Sequence, residues 1–283
     1  MKTDISPVGV DLYFLPVQTR VPLKFGPETL TSVICARVCM TVANTKGQRA
    51  QGWGETPLSV QWVWPSSISY QERCDAMQTL CRNLADAWAD FTGHGHPIEI
   101  GHRFNETVLP RLLKKLNASR GARAEPMPWL GALVCCSPFD IALHDAYGQL
   151  LNRPVYSSYT REFMNDDLAH FLEPAAGTQV SFNGKYPADF LNFPPVRQMP
   201  AWHLVGGKDL IDASELTGSE PKDGYPVLLA DWIERDGLTC LKVKLRGNDA
   251  AWDYDRLVTV GKIANEHNVH WLTSDFTSTV SQP

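Results

Sequence analysis

The opening third of the chain alternates apolar and polar positions with a period of two, the pattern of half-buried strands. "VGVDLYF" puts Val8, Val10, Leu12 and Phe14 on one face. "SVICARVCMTV" does the same with Ile34, Ala36, Val38, Met40 and Val42. "ANTKGQ" carries the Asn and Gly of a turn, and "RAQGWGE" returns as a partner strand. The pattern predicts an antiparallel meander.

Near residue 70 the period lengthens to that of a helix. Ser69 and Glu72 have capping-box spacing, and Met77, Cys81, Leu84, Trp88 and Phe91 recur at helical intervals. "GHGHPIEIGH" reads as a Gly-rich loop between helices. Its His94, His96 and His102 have only Glu99 nearby to complete a metal site. "ETVLPRLLKKLN" is a second helical piece with Pro110 inside it. "SPFDIALHDAYGQLLNRP" predicts the clearest helix, with Ser137 as N-cap and Pro138 in the first position. Phe139, Ala142, Leu143, Ala146, Tyr147 and Leu150 form its stripe, Pro154 lies beyond its end, and His144 and Asp145 read as structural. Strands followed by helices make residues 1–154 an α+β domain.

Residues 155–200 show no clean period and read as a long ordered loop or insertion. From 201 to 283 strand and helix patterns alternate. "LIDASEL" is a short strand-like run and "PVLLADWIERDG" a helix ended by Gly237. "LTCLKVKL" is a strand, "WDYDRLVTVGKIANEHN" a helix and "VHWLTSDF" a strand. That succession predicts parallel β/α units.

Composition narrows the function classes. The 283 residues are 43% hydrophobic and 20% charged, ordinary for a globular protein. A net charge of −5, with one short basic run in "LLKKLNASRGARA", suggests no nucleic-acid surface. No stretch approaches the roughly 18 apolar residues of a membrane span, and "MKTDISPVGVDLYFLP" lacks the apolar core of a signal peptide. A cytoplasmic protein with no membrane partner is expected. Seven cysteines, an odd number with no CxxC pair, read as buried thiols.

One stretch changes the picture. In "LTCLKVKLRG", Leu241, Val243 and Leu245 share one strand face, and Lys242 and Lys244 share the other. Same-face neighbours lie about 6.6 Å apart along a strand. Two unit charges at that distance repel by about 2.5 kcal/mol at an effective dielectric of 20. Such repulsion favours release of one proton, as a lysine general base requires. The alternative is a strand-end pair whose ammonium groups simply reach water. In a parallel barrel the C-terminal strand ends hold the active site. Asp275 closes the next strand on the face of Val269, Trp271 and Thr273, so adjacent strands would bring two amines and a carboxylate together.

The sequence resembles the mandelate racemase/muconate-lactonizing enzyme branch of the enolase superfamily. "GWGETPLS" (52–59) is similar to that family's capping-domain strand and loop, and "SPFDIALHDAYGQLLNRPVY" (137–156) to the helix before its barrel. "HLVGGKD" looks like the entry to the first barrel strand, "LKVKLRG" like the Lys-x-Lys strand, and "WLTSDF" like the third strand with its first metal-ligand aspartate. The resemblance implies an α+β capping domain followed by the first part of a (β/α) TIM-type barrel. It implies Mg²⁺-assisted abstraction of the proton α to a carboxylate, as in racemases, epimerases, dehydratases or cycloisomerases of acid sugars or hydroxy acids. Lys244 matches the general base, Lys242 the lysine that contacts the substrate carboxylate, and Asp275 a Mg²⁺ ligand. "TRVPLKFG" (19–26) and "ETPLS" (55–59) match loops that close over substrate, making Lys24, Phe25, Thr56 and Pro57 the specificity candidates. Trp62 and Trp64 follow, as core or interface residues or as pocket lining.

The resemblance stops short of a whole barrel. A TIM-type barrel takes roughly 250 residues and eight strands. Here three barrel strands can be named, and the family's remaining metal ligands and second acid/base have no matching position. The expectation is a chain truncated within the barrel. A split enzyme finished by a completing chain, or a non-catalytic role of the capping domain in assembly as a possible homo-oligomer, are the alternatives.

Overall fold

The structure, a computed structural model, describes residues 3–25, 28–121 and 123–276. The chain divides into two compact units. The first holds residues up to Val17 together with Val33–Pro195, and the second holds Gln18–Ser32 together with the residues from Val196 onward.

The first unit begins with the meander, whose first two strands belong to the second unit over residues 18–32. Strands β1 (Ile5–Phe25), β2 (Glu28–Asn44) and β3 (Arg49–Pro57) lie in the order β1-β2-β3. β2 and β3 pair antiparallel from Cys35↔Pro57 to Ala43↔Arg49. Asn44 makes the turn, its Oδ1 accepting from Lys46 N and Gln48 N at 3.0 Å each. Residues 19–25, expected as a loop, continue β1 instead; Gly26 lies outside the described residues. Val17, Thr19 and Val21 are β-branched and favour extended backbone. Pro16 and Pro22 are tolerated because β1 is an edge strand.

Helices α1 (Val60–Val63), α2 (Tyr70–Ala89), α3 (Pro97–Thr107), α4 (Leu109–Ser119) and α5 (Trp129–Leu151) follow. Ser69 caps α2 by accepting from Glu72 N at 3.2 Å. Of the stretch expected as a Gly-rich loop, residues 93–96 do link α2 to α3, while residues 97–102 are the start of α3. His96 is its N-cap, Nδ1 accepting from Ile98 N at 3.3 Å while Glu99 Oε2 accepts from His96 N at 3.0 Å. The histidine ring thus replaces the usual Ser or Asp, and Pro97 takes the first helical position.

α5 departs from expectation at its start. Ser137 is not its N-cap and Pro138 not its first residue, because the helix begins at Trp129. Pro138 has no N–H for the carbonyl of Val134, four residues back. Ser137 Oγ donates to that carbonyl at 2.9 Å, so the break is repaired locally. β3 lies directly on α5. A Cβ on Gly52 would overlap the Ala146 backbone and one on Gly54 the Pro138 carbonyl, so only glycine permits this approach. Asp145 Oδ2 accepts from Trp53 N at 2.8 Å and ties the two elements. The core of this unit includes Trp88 and Phe104, stacked at 3.9 Å, with Phe139 and Tyr147 fully buried.

Residues 155–195 contain only short 3-10 turns, anchored by Glu99, which accepts from Asn165 N and Asn165 Nδ2. All seven cysteines are free thiols and buried. No helix among the described residues is long and apolar enough to cross a membrane.

The second unit carries β4 (Trp202–Val205), α6 (Leu229–Asp236), β5 (Cys240–Lys244), α7 (Ala250–Glu266) and β6 (Trp271–Asp275). The strands are parallel in the order β4-β5-β6. Gly237 ends α6 in the left-handed region at φ 60°. "LIDASEL", expected as a strand, holds a 3-10 turn at Ala213–Glu215. Asp212 caps it by accepting from Ser214 N at 2.8 Å, a local bond that competes with strand pairing.

Candidate active site

β5 sorts its residues by face. Leu241, Val243 and Leu245 are buried with Leu229 and Ile233 of α6 and Val260 and Ala264 of α7. Lys242 and Lys244 point the other way, their side chains 43% and 22% exposed. Parallel pairing sets Lys242 opposite Thr273 and Lys244 opposite Asp275. Both ammonium groups meet one carboxylate oxygen. Asp275 Oδ2 accepts from Lys244 Nζ at 2.6 Å and pairs with Lys242 Nζ at 2.8 Å. The carboxylate offsets the repulsion between the two lysines, because opposite charges in contact attract more strongly than like charges farther apart repel.

The loop beyond β5 is fixed by residues that the strand pattern does not reveal. Asp253 of α7 accepts from Arg246 N at 2.7 Å and Gly247 N at 2.8 Å, and the Arg246 guanidinium lies 3.9 Å from the Trp252 ring centre. Arg256, one turn on, donates to the carbonyls of Gly206 (2.5 Å) and Asp209 (3.0 Å), linking α7 to the loop after β4. A signal for both exists in the sequence. Asp253 and Arg256 occupy buried positions in the helical stripe completed by Val260 and Ala264, where a charge is costly unless it is paired or hydrogen-bonded.

Among the other candidates, Lys24 belongs to the second unit, where its side chain lies beside Gly207, just after β4. Phe25 closes β1, and its side chain lies outside the described residues. Thr56 and Pro57 end β3 in the first unit, paired with Ala36 and Cys35. Thr56 Oγ1 hydrogen-bonds Ser137 Oγ at 2.7 Å; since Ser137 donates to Val134, Thr56 is the donor. Trp64 is core, its Nε1 donating to Glu125 Oε1 at 3.0 Å, whereas Trp62 is exposed. His144 Nδ1 lies 2.9 Å from the Tyr159 hydroxyl.

Mg²⁺ commonly takes one or two carboxylates plus water or substrate oxygens. Asp275 supplies one carboxylate, with two ammonium groups on its Oδ2. Among the described residues no three His, Cys, Asp or Glu side chains are grouped to hold a metal ion. On their own, these donors do not fit a dication.

No protein-family model and no curated protein matches the sequence. Solved structures match the fold. A dipeptide epimerase from Cytophaga hutchinsonii, complexed with Mg and the dipeptide D-Ala-L-Val, is 16% identical with a TM-score of 0.52, over 98% of this chain and 53% of that one. The N-succinyl Arg/Lys racemase from Bacillus cereus is 17% identical with a TM-score of 0.52, over 95% and 52%. The L-Ala-D/L-Glu epimerase from Bacillus subtilis is 15% identical with a TM-score of 0.51, over 96% and 53%. The chain spans about half the length of these structures.

Proposed function

We infer, from a fold shared with the mandelate racemase/muconate-lactonizing enzyme branch of the enolase superfamily, that this chain is part of an enzyme that removes the proton α to a carboxylate. The observation that carries the reading is the Lys242–Asp275–Lys244 cluster at the C-terminal ends of two parallel strands. A substrate carboxylate entering the cluster takes over from Asp275 as partner of the Lys242 ammonium. Lys244, after its ammonium has released a proton to solvent, accepts the α-proton, and the electron pair left on carbon spreads into the carboxylate as an enediolate beside Lys242. Racemisation, epimerisation, dehydration and cycloisomerisation share this step. Acid sugars and hydroxy acids are the substrate classes, with dipeptides and N-acyl amino acids added by analogy with the fold neighbours. Mg²⁺ in such a site would use Asp275 with further carboxylates supplied from outside these residues.

The test is exchange of the substrate α-proton in D₂O, followed by NMR with dipeptides, N-acyl amino acids and α-hydroxy acids in the presence of Mg²⁺. Exchange is expected once the remaining metal carboxylates are supplied by the completed enzyme, and Lys244→Ala should then slow it by about 10²- to 10⁴-fold with an unchanged circular dichroism spectrum. Unchanged exchange removes Lys244 from the mechanism. A second reading, a non-catalytic or split protein that assembles with another chain, is favoured by the cluster's closure on itself, since a carboxylate between two ammonium groups needs no ligand. Absence of exchange with every class would favour it.

A further inference from the structure

The alternation of β5 continues into a third cation. Arg246 follows Lys242 and Lys244 at the same spacing, so an extended chain would set three positive charges beside the carboxylate of Asp275. The backbone turns away before that happens. Leu245 N donates to the Asp275 carbonyl at 2.9 Å. The next two amides, Arg246 N and Gly247 N, donate instead to the two carboxylate oxygens of Asp253, at 2.7 and 2.8 Å. Gly247 takes the left-handed backbone of the turn, at φ 72°. Arg246 is thereby carried onto the start of α7, its guanidinium 3.9 Å from the Trp252 ring centre and 3.7 Å from Asp249 Oδ2.

The two lysines depend on this turn to different degrees. Lys242 is paired on both sides, with Leu204 of β4 and Thr273 of β6. Lys244 is paired with β6 alone, because the β4 register ends at Val205↔Val243. Just beyond Lys244 the backbone is held by Asp253, which is 7% exposed. Its helix is itself fixed, since Val260 and Ala264 pack in one core with Leu241, Val243 and Leu245. A carboxylate that accepts two backbone N–H groups makes strong, directional bonds.

We propose that Asp253 is a positioning residue for Lys244: by turning the chain after Leu245 it holds the Lys244 amine at Asp275 and keeps Arg246 out of the cluster. It acts through Lys244 and does not itself meet substrate. The proposal rests on the proton-abstraction reading only for what Lys244 does; the geometry is set without substrate.

The test is competitive acylation of the whole chain by acetic anhydride, read for each lysine by peptide mass spectrometry. Exposed Lys46, in the turn after β2, is the internal reference. Asp253→Ala should speed acylation of Lys244 relative to Lys46 by about three- to fivefold, the factor that loss of an exposed ion pair supplies. Lys242 should be unaffected. Amide hydrogen exchange should quicken at Arg246 and Gly247 and stay as in the parent at Leu241 and Val243. Asp253→Asn keeps one acceptor oxygen at the turn, so it should restore part of the protection of Lys244; it decides alone if the alanine variant does not fold. Unchanged Lys244 acylation with faster exchange at Arg246 and Gly247 would overturn the proposal, because the turn would be released and the lysine still in place. An equal rise at Lys242 and Lys244, with faster exchange throughout β5, would also overturn it, since that is what a merely structural residue produces. Neither measurement needs turnover. If no substrate class shows α-proton exchange while Lys244 acylation still answers to Asp253, the reaction is lost and the positioning stands.

Discussion

Asp275 is the residue on which the candidate site turns. Its carboxylate is 24% exposed and holds two ammonium groups within 2.8 Å of one oxygen. Asp275→Asn leaves the two lysines facing each other without a negative charge between them. With both nitrogens within 2.8 Å of one oxygen, their repulsion is about 3 kcal/mol at an effective dielectric of 20, a figure that solvent screening cuts severalfold at so open a position. A loss of about 1 kcal/mol in the second unit is therefore expected at low ionic strength. Most of it should return near 1 M salt, where the Debye length falls to about 3 Å. Urea denaturation of the variant at two salt concentrations checks this, and a salt-independent difference would mean that packing, not charge, is lost. The same residue marks how far sequence carries. Period-two alternation places Lys242 and Lys244 on one face, and the spacing to Asp275 suggests a neighbouring strand. That a single oxygen serves both amines depends on register and rotamers, which no spacing encodes.

Among the elements, β3 and α5 make the closest approach in the first unit. Gly52→Ala would push a methyl group into the Ala146 backbone, which cannot yield as a flexible side chain could. Destabilisation of about 3 kcal/mol or more is expected, at the upper end for overpacking, as a lowered midpoint in denaturant. A variant as stable as the parent would mean that the strand lifts off the helix at little cost. "GWGE" announces this contact only faintly, since glycine in a strand also fits a bulge. The Ser137–Pro138 pair misleads for a related reason. Ser-Pro is a helix-start signal, yet the serine hydroxyl can satisfy the carbonyl that the proline orphans, and the apolar "WLGALVCC" before it buries Ala132, Cys135 and Cys136 in the core. The α6–β5–α7–β6 succession was far more legible, because amphipathic strands and helices of ordinary length carry their period within themselves, whereas the four-residue β4 is too short to show one and a strand was expected at "LIDASEL" instead. The 19–25 segment was not, because its extension depends on a partner strand.

The two units differ in how each is held together. The first joins helix and loop through a buried histidine. His96 is fully buried, its Nδ1 accepts from Ile98 N, and Ser158 Oγ, which donates to Val155, accepts from Nε2 at 3.2 Å. Burial first, then the nearby His144 ring, pushes its pKa down to about 3 against the opposing pull of Asp4. Unfolded histidine titrates near 6.5. Between these values the unfolded chain binds a proton that the folded chain refuses, so this contribution is complete above pH 6.5 and is lost as pH falls towards 3. The slope is at most about 1.4 kcal/mol per pH unit. His96→Asn keeps a capping side chain without the titration, so its stability should fall by about 1–2 kcal/mol less than the parent's between pH 6.5 and 5. Parallel losses in urea titrations would remove His96 as the acid-sensitive group.

Stability should also be uneven between the units. The first buries Trp64, Trp88, Phe104, Phe139 and Tyr147, whereas the second has a small aliphatic core centred on Val205, Leu241, Val243 and Val260. Its outermost strand is exposed on both faces, with Trp271 at 64% and Leu272 at 47%. Aromatic side chains bury about 150–250 Å² each, so the first core has the stronger hydrophobic support. Amide hydrogen exchange should be slowest in α2 and α5, intermediate in β5, and fastest among the strands in β6, whose opening does not require the first unit to unfold. Equal protection of β6 and α5 would show that the second unit draws stability from contacts beyond its own small core. The same measurement bears on function, because the Lys242–Asp275–Lys244 cluster spans β5 and β6. A carboxylate that takes the place of Asp275 on Lys242 is held by β5 and removes one of the two ties to β6, so at saturation it should leave exchange in α5 and β5 unchanged and should not slow β6. A slowing of β6 by about 100-fold at about 100 times its Kd would mean that both strands hold the ligand.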